Sequence, residues 1–472
     1  MPKLEALAPS ARRGRAGFCL VFCITALSAG ITAACGGAAT QPHADASGGR
    51  AGTAGTTVTS SAGSVNGGSI EMGGEAGAVG GRSGATNANE APPVASYWQV
   101  GDEGDSGAVA VGIDADEHVY VAGSATSMAS GATSDDFEVF VRKYDESGGV
   151  LWAKQWGNDR YNRMADMAVD SAGHFFVVYA AADPSNMKSQ RSYLGKYDPS
   201  GRVLWERGSE TNSGAKVEVD ASGGVYVVGS ILGASLTEPP LYLSRYDATG
   251  ALQWLTPFAR QFVVTVSNLA LDSSGNIYVT SNTRATSASG DTDASESRLY
   301  KFDGAGKVVW ELKLGTPPRE AFAGVAVDRS GDLFVAATTA AEASDGTLGP
   351  HRVLLRKYDS SGNLSWSREV GNSIRAVEFG SLRLDQDGNP HLAAYSGGLL
   401  ESAAPAGAYV AAIRKYDTDG AVRWTEQCSF ADRGCRLDAI AIAASGNVYG
   451  AGLTYASAGE DYSTLVAKLA VR

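Results

Sequence analysis

The sequence predicts an all-β chain assembled from seven copies of one four-stranded antiparallel unit, and three observations carry that reading. A ten-residue phrase recurs six times: KYDESGGVLW (143–152), KYDPSGRVLW (196–205), RYDATGALQW (245–254), KFDGAGKVVW (301–310), KYDSSGNLSW (357–366) and KYDTDGAVRW (415–424). A second phrase, an Asp-x-x-Gly-type turn running into an apolar strand, recurs seven times, starting at Asp114, Asp170, Asp220, Asp272, Asp328, Asp385 and Ala443, 50 to 58 residues apart. Helical periodicity has no comparable support anywhere in residues 94–472.

Taken from the N-terminus, Arg12, Arg13 and Arg15 precede an uncharged apolar run from Ala16 to Ala34, which ends in small residues before Cys35. A basic region, an apolar region and a small-residue boundary predict an export signal over 1–34. The ending Thr32-Ala33-Ala34-Cys35 resembles a bacterial lipobox, with Thr where Leu is usual, and the resemblance implies a lipidated Cys35. A simple secretory signal cut nearby is the alternative. No Asp follows Cys35, so by the same resemblance the outer membrane is expected, with the lipid as the only membrane contact. Residues 35–93 are Gly, Ala, Ser and Thr with almost nothing large. Such a segment cannot bury enough apolar surface to offset its ordering entropy and is expected to form a flexible tether with a reach of about 40 Å.

The chain carries a net charge of −12; Lys3, Arg12, Arg13 and Arg15 contribute +4 and Glu5 −1, so the remainder carries −15. This acidity, with no basic cluster, argues against a nucleic-acid partner, which needs clustered Lys and Arg to neutralise phosphates. Cys19 and Cys23 leave with the signal. That leaves Cys428 and Cys435, seven apart, as an expected disulfide in an oxidising compartment. A free or metal-binding pair is the alternative, although two thiols alone cannot complete a tetrahedral zinc site.

In the repeat region each unit holds four strand signals, a to d: a short apolar strand such as AGVAVD (323–328), then strands of the HVYVAG, VFVRKYD and VLWAKQWG types. Asp, Ser, Asn and Gly fill the a–b and c–d joints, where tight hairpins need φ > 0 or side-chain capping. Four strands per unit of this length mark a β-propeller blade. The first phrase is one copy short because the last unit stops on its strand c, STLVAKLAVR (463–472). ASYWQVG (95–101) precedes the first unit at the place of a strand d. The expectation is a seven-bladed propeller of four-stranded blades over 94–472, with the N-terminal strand completing the last blade and removing two open edges.

The composite pattern D-x-x-G-N-x-Y-V-x-G, followed by K-Y-D-x-x-G-x-x-x-W, resembles the bacterial SBBP β-propeller repeat and is more distantly similar to the NHL repeat. The resemblance covers essentially all of 94–472. It implies an extracytoplasmic propeller but no one activity, and it transfers no catalytic residue.

Trp152, Trp205, Trp254, Trp310, Trp366 and Trp424 follow the unit period, so their simplest role is to fill the wedge between blades; docking of a planar cofactor is the alternative. A Lys or Arg recurs in every strand c, at Lys143, Lys196, Arg245, Lys301, Lys357, Lys415 and Lys468, where its stem can lie on an apolar face with the charge near an Asp or a ring. Asp114-Ala115-Asp116, Asp385-Gln386-Asp387 and Asp417-Thr418-Asp419 offer alternate oxygens, but none completes a calcium loop. Hairpin capping is the simpler reading, and calcium is the only cofactor these turns leave open. His43 falls in the tether, His118 and His174 in equivalent turns, His351 and His391 in strands, and no catalytic set stands out.

The a–b and c–d turns share one face and are nearly uniform, so variation gathers on the opposite face, in the b–c and d–a loops. Function on a rigid scaffold is usually delegated to variable loops. Arg160, Tyr161, Arg163, Arg260, Phe262, Arg319 and Phe322 are therefore the contact candidates. The resulting expectation is a monomeric, tethered lipoprotein that binds a protein or glycan through this face. The alternative is a propeller enzyme of lyase or hydrolase type, acting on polysaccharide or a small molecule in the central channel.

Overall fold

The computed structural model describes residues 93–470, apart from 101–105, 127–136, 158–160, 184–185, 232–239, 260–263, 285–294, 315–319, 343–347, 371–376, 397–409, 429–432 and 457–461. The expected signal, Cys35 and the tether as far as residue 92 lie outside the described residues. The described residues form 28 strands. Val94–Val100 apart, these follow one another as six groups of four and a last group of three.

Within a group, neighbours in sequence are antiparallel neighbours in space. Asn212–Val219, Val225–Ile231, Leu241–Tyr246 and Leu252–Phe258 are one such sheet. The first two groups share a larger sheet only through one parallel bridge between Phe137 and Tyr161. The last group takes its fourth strand from the other end of the chain: Val94–Val100 lies antiparallel to Tyr462–Ala470, from Val94 opposite Ala470 to Val100 opposite Thr464.

The hairpins form because each turn Asp caps its own backbone. Asp170 Oδ1 accepts the N–H groups of Ala172 and His174 at 3.0 and 2.8 Å, while the Asp170 carbonyl accepts from Gly173 at 2.9 Å. Gly173 supplies the required φ of 81° without steric cost. In the first unit the same place is held by Glu117, at φ 59°.

Second strands read as continuous apolar runs because both faces of each sheet are covered; Val119, Tyr120, Val121 and Ala122 are all fully buried. Across the sheet runs a ladder in register, Tyr120 opposite Lys143 opposite Trp152. The Lys143 ammonium lies 4.7 Å over the Tyr120 ring and 3.2 Å from Asp114 Oδ2. Lys196, Arg245, Lys301, Lys357 and Lys468 repeat the cation–ring contact. The recurring cation is thus a packing element.

Three of the Trp residues also join their group to the next. The indole N–H donates to the c–d turn of the following group: Trp152 to Pro199 O, Trp205 to Ala248 O and Trp366 to Thr418 O, at 3.0–3.1 Å. Two residues on, Lys154, Arg207 and Arg368 donate to Gly201 O, Gly250 O and Gly420 O of the same turns.

The first strands are Ser106–Ile113, Tyr161–Val169, Asn212–Val219, Val264–Leu271, Glu320–Val327, Val377–Leu384 and Arg433–Ile442. They contact one another in succession, and the seventh contacts the first.

Candidate functional site

Every first strand carries a β-bulge, which places one extra residue against the second strand: Val109, Ala165, Ala215, Ser267, Ala323, Gly380 and Asp438. The bulge gives a common reference for comparing the seven strands where they converge. Three places past it stand Gly112, Ala168, Glu218, Ala270, Ala326, Arg383 and Ala441. This level is crowded: a Cβ on Gly112 would come within 2.3 Å of Val169 Cγ2. Small residues are the rule there, and at Gly112 the Val169 side chain of the next first strand takes the space a Cβ would need. Glu218 and Arg383 break it, from the third and sixth units.

The half-buried Glu218 keeps some solvent contact, and its carboxyl makes no hydrogen bond among the described residues. Burial pushes its carboxyl up to about 7, against the attraction of Arg383 and then Lys216, and with the repulsion of Asp166. Arg383 donates Nη1 to Leu382 O at 3.1 Å and makes no ion pair among the described residues.

One place past the bulge, Asp166, Lys216 and Asn268 add polar groups from adjacent units. Asp166 Oδ2 accepts the Val217 N–H at 3.0 Å and its Oδ1 lies 3.7 Å from Lys216 Nζ. Asp438, itself a bulge residue, lies 2.8 Å from Arg436 Nε, yet burial still raises its carboxyl above the ordinary value. The Arg436 guanidinium also lies 5.5 Å over the Tyr395 ring. Half-buried charges therefore gather on the second, third, sixth and seventh first strands. Sequence reading missed this set. The available signal was the departure of Glu218 and Arg383 from a small-residue level, which becomes visible only once the bulge aligns the strands.

The loop candidates are only partly brought to this site. Arg163 lies two places before its bulge, level with Glu378 and Arg436 on their strands. The Tyr161 ring packs edge-on against Phe137 at 5.5 Å. Phe322 sits on a first strand opposite Ala337, and Arg160, Arg260, Phe262 and Arg319 lie outside the described residues.

Cys428 and Cys435 are not joined; both are buried free thiols, and Cys435 Sγ lies 2.7 Å from the Cys428 carbonyl oxygen. This differs from the disulfide expected from the sequence. Both pack with Tyr97 of the N-terminal strand, whose hydroxyl donates to Gln427 O at 3.1 Å. The hydrogen bond with Cys435, then burial, hold the Cys428 thiol protonated far above its usual range.

The turn carboxylates are engaged. Asp114, Asp116 and His118 bring one ligand atom each within 4.8 Å, but the Lys143 ammonium and the Tyr120 hydroxyl both bond Asp114 Oδ2, at 3.2 Å. A cation already serves that carboxylate.

No family model matches this chain, and no curated protein matches it in sequence. Solved structures similar to it include the Dos1 propeller, at 11% identity over 79% of this chain and 94% of that one, with a TM-score of 0.46. A polysaccharide lyase, the PL25 ulvan lyase, is similar at 11% identity over 78% and 95%, with a TM-score of 0.46. YCF48 bound to a D1 peptide is similar at 10% identity over 82% and 97%, also with a TM-score of 0.46. These likenesses are too distant to carry an argument about function.

Proposed function

We propose that the seven units are the blades of a closed propeller, completed by the N-terminal strand, and that the chain is an exported, Cys35-lipidated envelope protein. Its propeller acts as a binding module for a protein or glycan. The partner is engaged at the axis, from the end where the d–a loops enter the first strands. One observation carries this reading: Asp166, Lys216, Glu218, Arg383, Arg436 and Asp438 are half-buried charged groups on first strands that contact one another in succession, at levels where most of the seven residues are small or apolar. Desolvated charge lowers stability unless it is paired, so a purely structural hub would be expected to be apolar. Arg163, Glu378 and Arg436 sit at the d–a end of this hub by register.

A second reading rests on Glu218. A carboxyl titrating at about 7 suits a general acid or base near neutral pH, so lyase or hydrolase chemistry at the axis is the competing function. Binding of the mature full-length protein to glycan and peptide arrays, compared with Lys216→Met and Arg383→Met variants, tests the binding reading. Retained binding by folded variants would move the site off the axis. Turnover of any bound glycan that vanishes in Glu218→Gln would favour the enzyme. Protease treatment of intact cells, with a periplasmic control, tests which side of the outer membrane the propeller faces.

A further inference from the structure

A cleft of about 240 Å³ lies at the a–b turns of the fifth, sixth and seventh units, at the opposite end of the first strands from the d–a loops. Val327, Leu384 and Ile442, where those strands end, form part of its wall, and the turn residues that follow form the rest. Three departures from the repeat meet there. The residue after the turn Asp or its counterpart is Ala or Ser in five units, but Arg329 in the fifth and Gln386 in the sixth. Ala443 stands where the other six units carry Asp, so the seventh unit brings no carboxyl to the cleft.

The third departure is at Asp328. In the other five Asp turns the outer oxygen Oδ2 is bonded, by Tyr120 on Asp114, His174 on Asp170, Tyr226 on Asp220, Tyr278 on Asp272 and Asn389 on Asp385. In the fifth unit Phe334 stands at the Tyr position with no hydroxyl to offer. Lys357 there reaches Asp332 Oδ2 instead, at 3.0 Å. Asp328 Oδ1 still caps its turn, accepting from Ser330 N, Ser330 Oγ and Asp332 N at 2.6–3.0 Å. Its Oδ2 accepts nothing among the described residues. A Cβ on Gly388 would lie 3.4 Å from Asp328 Cβ and 3.7 Å from Oδ2, so this oxygen stands beside the sixth unit's turn. Arg329 is exposed, and its guanidinium has no hydrogen bond or ion pair among the described residues. Gln386 Nε2 donates to Ala444 O at 3.4 Å, which joins the sixth and seventh turns and leaves its Oε1 open.

The cleft thus offers a carboxylate oxygen that only accepts, a guanidinium that only donates and an apolar wall. It is smaller than the roughly 300–1,000 Å³ of drug-sized pockets, which suits one small ring. An anion or an ammonium alone satisfies one charged group against the other. Adjacent hydroxyls on a ring satisfy both, because each hydroxyl donates and accepts, and the C–H face of the ring can lie on Leu384 and Ile442. We propose that this cleft is a monosaccharide subsite, taking a neutral pyranose whose adjacent hydroxyls meet Asp328 Oδ2 and Arg329. It is separate from the axial site and does not depend on it.

The test is ligand-observed NMR titration of the mature full-length protein with the methyl α-glycosides of D-glucose, D-galactose and D-mannose, at constant ionic strength. Cyclohexanol serves as a ring without a diol, and inorganic phosphate as an anion. At least one glycoside is expected to bind with a Kd of about 1 mM, the scale for so small a ligand, and at least about tenfold more tightly than either control. Asp328→Asn keeps the Oδ1 cap and changes only the free oxygen. It and Arg329→Ala are each expected to weaken binding by about tenfold, while Arg383→Met leaves it unchanged. Arg329 touches no other group, so its variant guards against misfolding at Asp328. Failure of all three glycosides to saturate, phosphate binding as tightly as the best glycoside, or unchanged affinity in either turn variant overturns the proposal. Binding lost in Arg383→Met but kept in Arg329→Ala would put the sugar at the axis, supporting the axial reading and removing this subsite.

Discussion

The ammonium of Lys468 donates to the carbonyl of Glu146 at 2.8 Å, across the joint between the last unit and the first. At other joints an indole N–H fills the corresponding acceptor place, on Pro199, Ala248 or Thr418. Here the residue opposite Lys468 is Ser96, not Trp, because the fourth strand comes from the N-terminus. The cation substitutes for the missing indole. The same joint explains Glu117: its Oε2 accepts from Asn447 Nδ2 at 3.0 Å and from Tyr449 OH at 3.1 Å, both in the last unit.

Glu117→Gly therefore pits two effects against each other. It relieves a left-handed conformation worth about 1 kcal/mol. It also removes two bonds to a carboxylate worth about 1.5 kcal/mol each. A net loss of about 2 kcal/mol is expected in urea unfolding, and a more stable variant would show that the joint contributes less than the turn strain.

Trp205→Phe and Trp254→Phe separate ring packing from the N–H bond. Trp205 donates to Ala248 O, whereas the buried Trp254 Nε1 has no partner. Beyond the shared loss of ring area, Trp205→Phe should cost about 1 kcal/mol more. Equal losses at the two positions would mean the inter-unit bond contributes nothing.

Asp114→Asn tests the ladder. The Asp114 and Lys143 side chains are 6% and 8% exposed, so the variant leaves a buried ammonium without its counter-charge, at a cost of about 3 kcal/mol. Asp145→Asn, in an exposed turn, should cost clearly less. Burial opposes ionisation of Asp114, but the bonds from the His118 N–H, the His118 ring and Lys143 prevail and hold its carboxyl below 3.8. A carboxyl depressed on folding stabilises above its unfolded value and loses that contribution as pH falls through the folded one. Wild type and Asp114→Asn should thus converge in stability in acid, as followed by urea midpoints from pH 6 down to 2.

Glu218 has the opposite sign. Its folded value of about 7 lies above the ordinary 4.5, so the folded state holds a proton that the unfolded chain has released. The stability contributed by that proton is complete below the unfolded value and is lost as pH rises through the folded one, by at most about 3 kcal/mol. Glu218→Gln should therefore gain stability relative to wild type between about pH 5 and 8. Parallel pH profiles for the two proteins would place the carboxyl in bulk-like solvent.

The strands, the Asp turns and the borrowed N-terminal strand were legible in the sequence because each depends on local patterns repeated in register. DASGGVYVVG forms the same hairpin as DSSGNIYVTS because the Asp side chain and the left-handed Gly act within five residues. The site was not legible, because Glu218 and Arg383 are single departures, and the bulge that aligns them leaves no signature in an alternating pattern. Weighing loop variability drew attention to Arg260 and Arg319 instead. The Trp role was half legible: wedge filling follows from the period, but the indole bond to the next turn depends on backbone positions brought near only by folding.

The pairing of Ser96 with Lys468 spans 372 positions, and it sets an order of events. During synthesis the strand Val94–Val100 emerges before the other described strands and has no partner until Tyr462–Ala470 is made. Six units can form from neighbours close in sequence, while the final one must close the longest loop in the molecule, a step slowed by chain entropy. Until then two sheet edges stay open, and the unfinished protein is most exposed to pairing with another copy of itself. Joining residue 470 to residue 94 and cutting the chain in one of the Asp turns would make that pairing local, so such a permutant should mature faster and aggregate less.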